Sequence, residues 1–204
     1  SDGNKDGKTE GGQWGAYFAP CLKTIKEGSA ENQIMLRTEV KELIVENGKV
    51  TGVKAVRFDG TPVTAHAKKG VVISTGGYAA NVPLVLKTND YWLAGKITEQ
   101  TKTTNRSSQV GDGIRMGEGA NAATTGMDFT QLMPISWIDN GQLAFGGGNY
   151  AIYINPTTGK RFVNETSERD VLSLAELANG IDKDGSQGVF IELANSKQFI
   201  PGPY

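Results

Sequence analysis

Cysteine is almost absent from this 204-residue chain. Cys21 is the only one, which excludes an internal disulfide and any cysteine-based metal cluster. Its place on the apolar face of a helical pattern predicts a buried packing role. Net charge is lacking too: 21 basic against 22 acidic residues leave −1. That balance gives no electrostatic basis for binding nucleic acid or an anionic membrane surface. No apolar run approaches the ~20 residues needed to span a bilayer, and no basic-then-apolar leader opens the chain. The chain is expected to be soluble, cytoplasmic or extracytoplasmic, with the compartment left open. It contains no internal repeat.

Glycine is plentiful, 27 residues in all, and serves as punctuation. Residues 1–12 are polar and glycine-rich and read as a flexible lead-in. Trp14, Tyr17, Phe18, Cys21, Leu22 and Ile25 recur at helical spacing, predicting an amphipathic helix over 13–27 with Pro20 inside it. Ile34 to Thr38 is a short strand candidate. Leu43 to Val45, Val50 to Phe58 and Pro62 to Ala67 form a meander joined at Asn47-Gly48 and Asp59-Gly60, dipeptides suited to tight hairpins. Val71 to Ser74 reads as a brief buried strand. Helical patterns follow over Val82 to Lys87, Asp112 to Thr124 and Glu168 to Asn179, the last stopped by Gly180. Tyr150 to Asn155 and Val189 to Leu193 are further strands. Mixed α/β and α+β architecture is the result.

Three short motifs carry the chemistry. Ser74 to Tyr78 reads Ser-Thr-Gly-Gly-Tyr, Gly111-Asp112-Gly113 opens a helix, and Gly159 to Asp170 reads Gly-Lys-Arg-Phe-Val-Asn-Glu-Thr-Ser-Glu-Arg-Asp. Glycines after a strand let a ligand approach the backbone, although an ordinary turn uses them as well. Asp112 is placed to cap the helix that follows it. Arg169 alone would read as an exposed arginine paired with Glu165 four residues earlier.

In this order the motifs resemble those of the fumarate reductase and succinate dehydrogenase flavoprotein family, and the last is the most specific. The resemblance covers nearly the whole chain from Gly11 onward. It implies the later part of an FAD-binding doubly wound domain with a β-meander (13–128), followed by part of an α+β cap domain (129–204). It implies that Thr75, Gly76, Gly77, Gly111, Asp112 and Gly113 contact FAD. Arg169 would protonate the substrate carbon next to the one that receives hydride. An arginine normally stays protonated, so such a donor needs a relay to restore its proton.

The sequence departs from that family at its substrate anchors. Met133, before Pro134, stands where the family has a substrate-binding histidine. Phe145 and Gly148 stand where it has a glutamate and an arginine of a proton relay. His66, the only histidine, lies in the meander and cannot substitute. These replacements favour an unsaturated carboxylate larger or less charged than fumarate, bounded by Met133, Phe145 and the open Gly146-Gly147-Gly148 run, and they leave the proton route open. The strand–GxGxxG–helix unit that seats the FAD pyrophosphate is also missing. An internal fragment is therefore expected, one that neither binds FAD tightly nor turns over alone.

A calcium loop competes for the first residues: Asp2, Asn4, Asp6 and Glu10 follow the ligand spacing, but Gln13 replaces the bidentate glutamate. A polar linker is preferred there and no metal is expected. The favoured function is reduction of the carbon–carbon double bond of a small unsaturated carboxylate, with electrons from a donor protein or domain. The alternative is a non-catalytic calcium- or partner-binding module on a reductase-derived scaffold. Neither reading involves nucleic acid or a membrane span.

Overall fold

The computed structural model describes residues 12–92, 97–144 and 151–194, with side chains from residue 17 onward. Helix α1 (Gly12–Gly28) follows the expected spacing and runs through Pro20. Its apolar positions are nevertheless exposed, Tyr17 at 74% and Phe18 at 67%, and so is Cys21. This corrects the buried role expected for the cysteine. Helical periodicity marks a face, but burial requires a surface to receive it, and none of the described residues covers this one.

Ile34 to Thr38 does not form the expected strand. Arg37 turns there with φ 51°, and β1 (Thr38–Glu46) begins only afterwards. It joins β2 (Lys49–Arg57) and β3 (Pro62–His66) in a sheet of order β1-β2-β3. Asn47 and Gly48, with φ 51° and 73°, supply the two positive dihedrals of a type I′ hairpin. At the next turn the Asp59 carboxylate accepts the Thr61 N–H at 2.9 Å. Hydrogen bonds from Thr61 hold that carboxyl below its ordinary range.

The chain divides into two compact units, Ser1–Lys41 with Val53–Ala65 and Glu42–Gly52 with His66–Tyr204. In the first, the Arg37 carbonyl accepts the Phe58 N–H at 2.9 Å, and its guanidinium lies 5.8 Å from the Phe58 ring centroid.

The second unit holds the remaining elements. Val71 to Ser74 is not a buried strand: it has no ladder partner among the described residues, and Val72 is 89% exposed. Its composition suits a strand, but burial needs neighbours that accept its backbone hydrogen bonds. Helix α2 (Val82–Thr88) is capped by Asn81, whose side chain accepts from the Leu84 N–H. Helix α3 (Asp112–Gly119) stops short of Thr124, because Asn121 turns with φ 64° and the Ala122 N–H bonds back to the Gly117 carbonyl.

Strand β4 (Ala151–Ile154) and helix α4 (Arg169–Asn179) follow. The single strand expected over Val189 to Leu193 is two: β6 (Ser186–Val189) pairs with β5 (Ile181–Lys183), while β7 (Ile191–Ala194) pairs with β4. Both ladders are antiparallel, with Tyr153 opposite Glu192. Tyr153, 1% exposed, centres the core with Ala151 and Leu172. Its ring lies 4.4 Å from that of Phe190.

Candidate functional site

The two glycine motifs meet. The Gly111 N–H donates to the Gly77 carbonyl at 3.2 Å and the Ala80 N–H to the Gln109 carbonyl at 2.9 Å. Gly111, left-handed at φ 90°, occupies the capping position of α3, so Asp112 is the first helical residue and not the cap. Its carboxylate instead stands 3.5 Å from the Arg115 guanidinium. A Cβ on Gly113 would lie 2.6 Å from Thr75 Oγ1, and one on Gly76 would overlap the Gln109 side chain. Gly113 lets the loop at Thr75 pack on α3, and Gly76 makes room for the Gln109 side chain. A Cβ on Gly77 would meet nothing within 4 Å, so the backbone there is open. Thr75, Gly76 and Gly113 line one open groove of about 370 Å³. Open backbone beside the free N–H groups of a helix's first turn suits a polar or anionic ligand segment.

The long motif begins in a turn built by Asn155. Its Oδ1 accepts the N–H groups of Thr157 and Thr158 at 2.8 and 2.9 Å, and its Nδ2 donates to the Asn179 carbonyl at 2.6 Å. Arg161 then bridges to Ile154. The Glu165 carboxylate is buried and accepts the Tyr153 N–H at 2.8 Å. Arg161 grips it too, Nε at 3.1 Å from both oxygens and Nη2 at 2.5 Å from Oε2. Burial alone would raise this carboxyl, but the bonds from Arg161 and Tyr153, with the Arg161 charge, hold it below its ordinary range. Glu165 therefore pairs with Arg161 and not with Arg169. Both arginines lie four residues from it, so spacing alone could not choose. Arg169 is exposed at the first position of α4 and makes no ion pair or side-chain hydrogen bond among the described residues.

Met133 is half-buried and lines a cavity of about 150 Å³ shared with Lys102, Thr130, Ser173, Glu176 and Gln187. Thr101 Oγ1 donates to Gln187 Oε1 at 2.7 Å, fastening β6 at its wall. Lys102 Nζ donates to the Ile138 carbonyl and, at 3.2 Å, to the Asp184 carbonyl. Among the described residues the buried side-chain atoms without a partner are Thr51 Oγ1, Thr130 Oγ1, Ser173 Oγ and Glu176 Oε1. All but the first belong to residues lining this cavity. Burial, with the negative charge of Glu192 adding to it, pushes the Glu176 carboxyl up to about 9. It is a neutral acid at physiological pH.

Sequence reasoning missed Ser173 and Glu176, and the helix explains why. Its buried positions are Leu172, Ser173 and Glu176, whereas Val171 and Leu174 are exposed. Phe145 and Gly148, with Gly146 and Gly147, lie outside the described residues, as do Asp2, Asn4, Asp6 and Glu10. Among the described residues no group of three His, Cys, Asp or Glu side chains could hold a metal ion. No helix among them is long and apolar enough to cross a membrane.

The family model described as FAD binding domain matches residues 8–199. NADH:acrylate oxidoreductase of Vibrio harveyi is 44% identical over 168 residues, which are 80% of this chain and 16% of that protein. Urocanate reductase of Eggerthella lenta is 29% identical over 184 residues, 84% of this chain and 29% of that one. The open conformation of a flavocytochrome c3 fumarate reductase superposes with a TM-score of 0.59 at 25% identity, over 85% of this chain and 29% of the other. The chain thus spans between 16% and 29% of the length of these relatives. By the extent of the family match, the chain belongs to the FAD binding domain family, among flavoproteins of the fumarate reductase and succinate dehydrogenase kind.

Proposed function

We propose that this chain is part of a flavin-dependent enzyme that reduces the carbon–carbon double bond of a small unsaturated carboxylate other than fumarate. The observation that carries the reading is the ungapped run from Gly159 to Asp170, which sets Arg169 at the head of α4. It is supported by relatives whose names include acrylate and urocanate reduction. Residues 13–128 form the FAD-binding part and 129–204 the cap. Bound FAD, when reduced, supplies hydride to one carbon of the double bond. Thr75, Gly76 and Gly77, with Gly111, Asp112 and Gly113, hold the cofactor, with the open backbone at Gly77 and the first turn of α3 turned to it. Arg169 attracts the substrate carboxylate and gives a proton to the neighbouring carbon. Met133, with Phe145 and Gly148, bounds the substrate with apolar surface and open backbone in place of charged anchors. Electrons arrive from a separate donor protein or domain.

The test uses the gene product that contains this chain, with FAD bound and an artificial low-potential donor. Acrylate, urocanate and cinnamate are expected to be reduced faster than fumarate. Arg169→Ala should lower turnover at least ~100-fold, the scale of a positioned proton donor, with the flavin absorption band unchanged. Fumarate as the best substrate, or retained turnover in the variant, would overturn the reading.

A further inference from the structure

Arg169, Ser173 and Glu176 lie four and then three residues apart on α4, so they share one face of that helix. The rise from Arg169 is about 6 Å to Ser173 and about 10 Å to Glu176. Helical side chains lean toward the N-terminus, so Glu176 leans toward Ser173 and Ser173 toward Arg169. Ser173 is 2% exposed and Glu176 7%, and each keeps a buried oxygen unpartnered among the described residues. Both line the cavity that holds Met133. A buried polar atom without a partner calls for a ligand, a water or a chemical role.

We propose that Glu176 is the proton source for Arg169, passing its proton along this helix face through the Ser173 hydroxyl. This rests on the reading of Arg169 as the proton donor. In each turnover two electrons enter the double bond as hydride from reduced flavin, and Arg169 gives one proton to the adjacent carbon. The neutral guanidine takes a proton from the Ser173 hydroxyl as that hydroxyl takes one from the Glu176 acid. The resulting carboxylate regains its proton from solvent. The direction is downhill, because a carboxylic acid, even one raised as Glu176 is, gives up its proton far more readily than a guanidinium does. A cavity of about 150 Å³ lined by both Ser173 and Glu176 has room for a water bridging those two.

Of the nearby acids, Glu168 is exposed, with no side-chain bond to the helix it caps. Glu165 is held by Arg161 and the Tyr153 N–H, and Asp170 is exposed and accepts the Val171 N–H at 2.9 Å. The charged group that acts on Glu176 is Glu192 of β7, and Tyr153 of β4, raised chiefly by its own burial, is the other titratable group of this neighbourhood. Burial, with the Glu192 charge adding to it, keeps the acid protonated. Lys102, on the same cavity, directs its ammonium to two backbone carbonyls.

The experiment is acrylate reduction by the flavin-loaded gene product from pH 6 to 10, in H₂O and D₂O, for the natural protein and for Glu176→Gln, Glu176→Asp and Ser173→Ala. Glu176→Gln should lower kcat at least ~100-fold with little change in KM, while flavin reduction by the donor proceeds as before. Glu176→Asp should recover part of the rate. The natural enzyme should lose rate as pH rises through about 9, and that loss should vanish in Glu176→Gln. An active natural enzyme whose rate is flat through that pH, or a Glu176→Gln variant within threefold of it, overturns this inference alone. A natural enzyme that reduces no unsaturated carboxylate overturns the functional reading as well.

Discussion

Two buried glutamates stand on either side of the start of α4, each 7% exposed, and they differ in what they touch. Glu165 accepts hydrogen bonds from Arg161 and from the Tyr153 backbone. Glu176 Oε1 faces a cavity with no partner among the described residues. The first carboxyl is drawn below its ordinary range and the second driven well above it. Equal burial therefore gives opposite protonation states, because hydrogen bonds and a cation stabilise a charge that desolvation alone would remove. The partnered acid fastens a turn to the core strand. The unpartnered one stays neutral and keeps a proton to give.

The comparison can be broken at the wall behind Glu176. Gly180 and Gly188 pass so closely that a Cβ on Gly180 would overlap the Gly188 backbone, and Gly188 in turn packs against the Glu176 carbonyl. Gly180→Ala should cost about 3 kcal/mol by overpacking. Hydrogen exchange should quicken in the second half of α4 and in β5–β6 while the Arg161–Glu165 turn keeps its protection. Equal loosening of both regions would mean that the two glutamates do not belong to separable environments.

Glu165→Gln strikes the other side. It weakens a charge-assisted contact to Arg161, whose side chain is 54% exposed and can return to water. The expected loss is about 2 kcal/mol, read from the urea midpoint at neutral pH. The same change at Glu176 should instead raise the midpoint at neutral pH, because the unfolded glutamate is ionised and must take up a proton to fold whereas glutamine need not.

pH sharpens the contrast, because the linkages run oppositely. The folded Glu165 value is depressed, so its stabilisation is present above the unfolded value of about 4.3 and is lost as pH falls through the folded one. Glu176 is raised to about 9 in the fold, so the folded chain holds a proton that the unfolded chain releases. Its stabilisation is complete below about pH 4.3 and is lost as pH rises toward 9, by up to about 1.4 kcal/mol per pH unit. Thermal unfolding between pH 6 and 9 should show that decline in the natural protein and a flatter curve in Glu176→Gln. Parallel curves would place the charge elsewhere.

Much of this fold was legible from periodicity and turn chemistry. The helix patterns over 13–27, 82–87 and 168–179 and the Asn47-Gly48 hairpin all form, because each depends on local spacing. Errors gathered where burial depends on distant partners. Val71 to Ser74 has a strand's composition without a ladder, and Cys21 has a core residue's spacing on an exposed helix. The site was legible only through its motifs. Two arginines equidistant from Glu165 gave no basis for choosing the pair. Ser173 and Glu176 were invisible because α4 buries them and exposes Val171 and Leu174, the reverse of what an amphipathic pattern predicts.

The smallest expected effect tests whether the start of the long motif is structural. Gly159 turns with φ 67°, and a Cβ there would meet nothing within 4 Å. Its N–H donates to the Asn155 carbonyl at 2.9 Å, closing the turn that leads to Arg161 and Glu165. Gly159→Ala should therefore cost only the left-handed backbone strain, about 1 kcal/mol, and leave the pH dependence set by Glu176 intact. Denaturant midpoints at pH 6 and 8 would show the same small shift. A fall in flavin or substrate affinity with no loss of stability would instead make the open side of this glycine a place where ligand meets backbone, and would move the motif's first residue from the Glu165 side of the comparison to the side of the cavity.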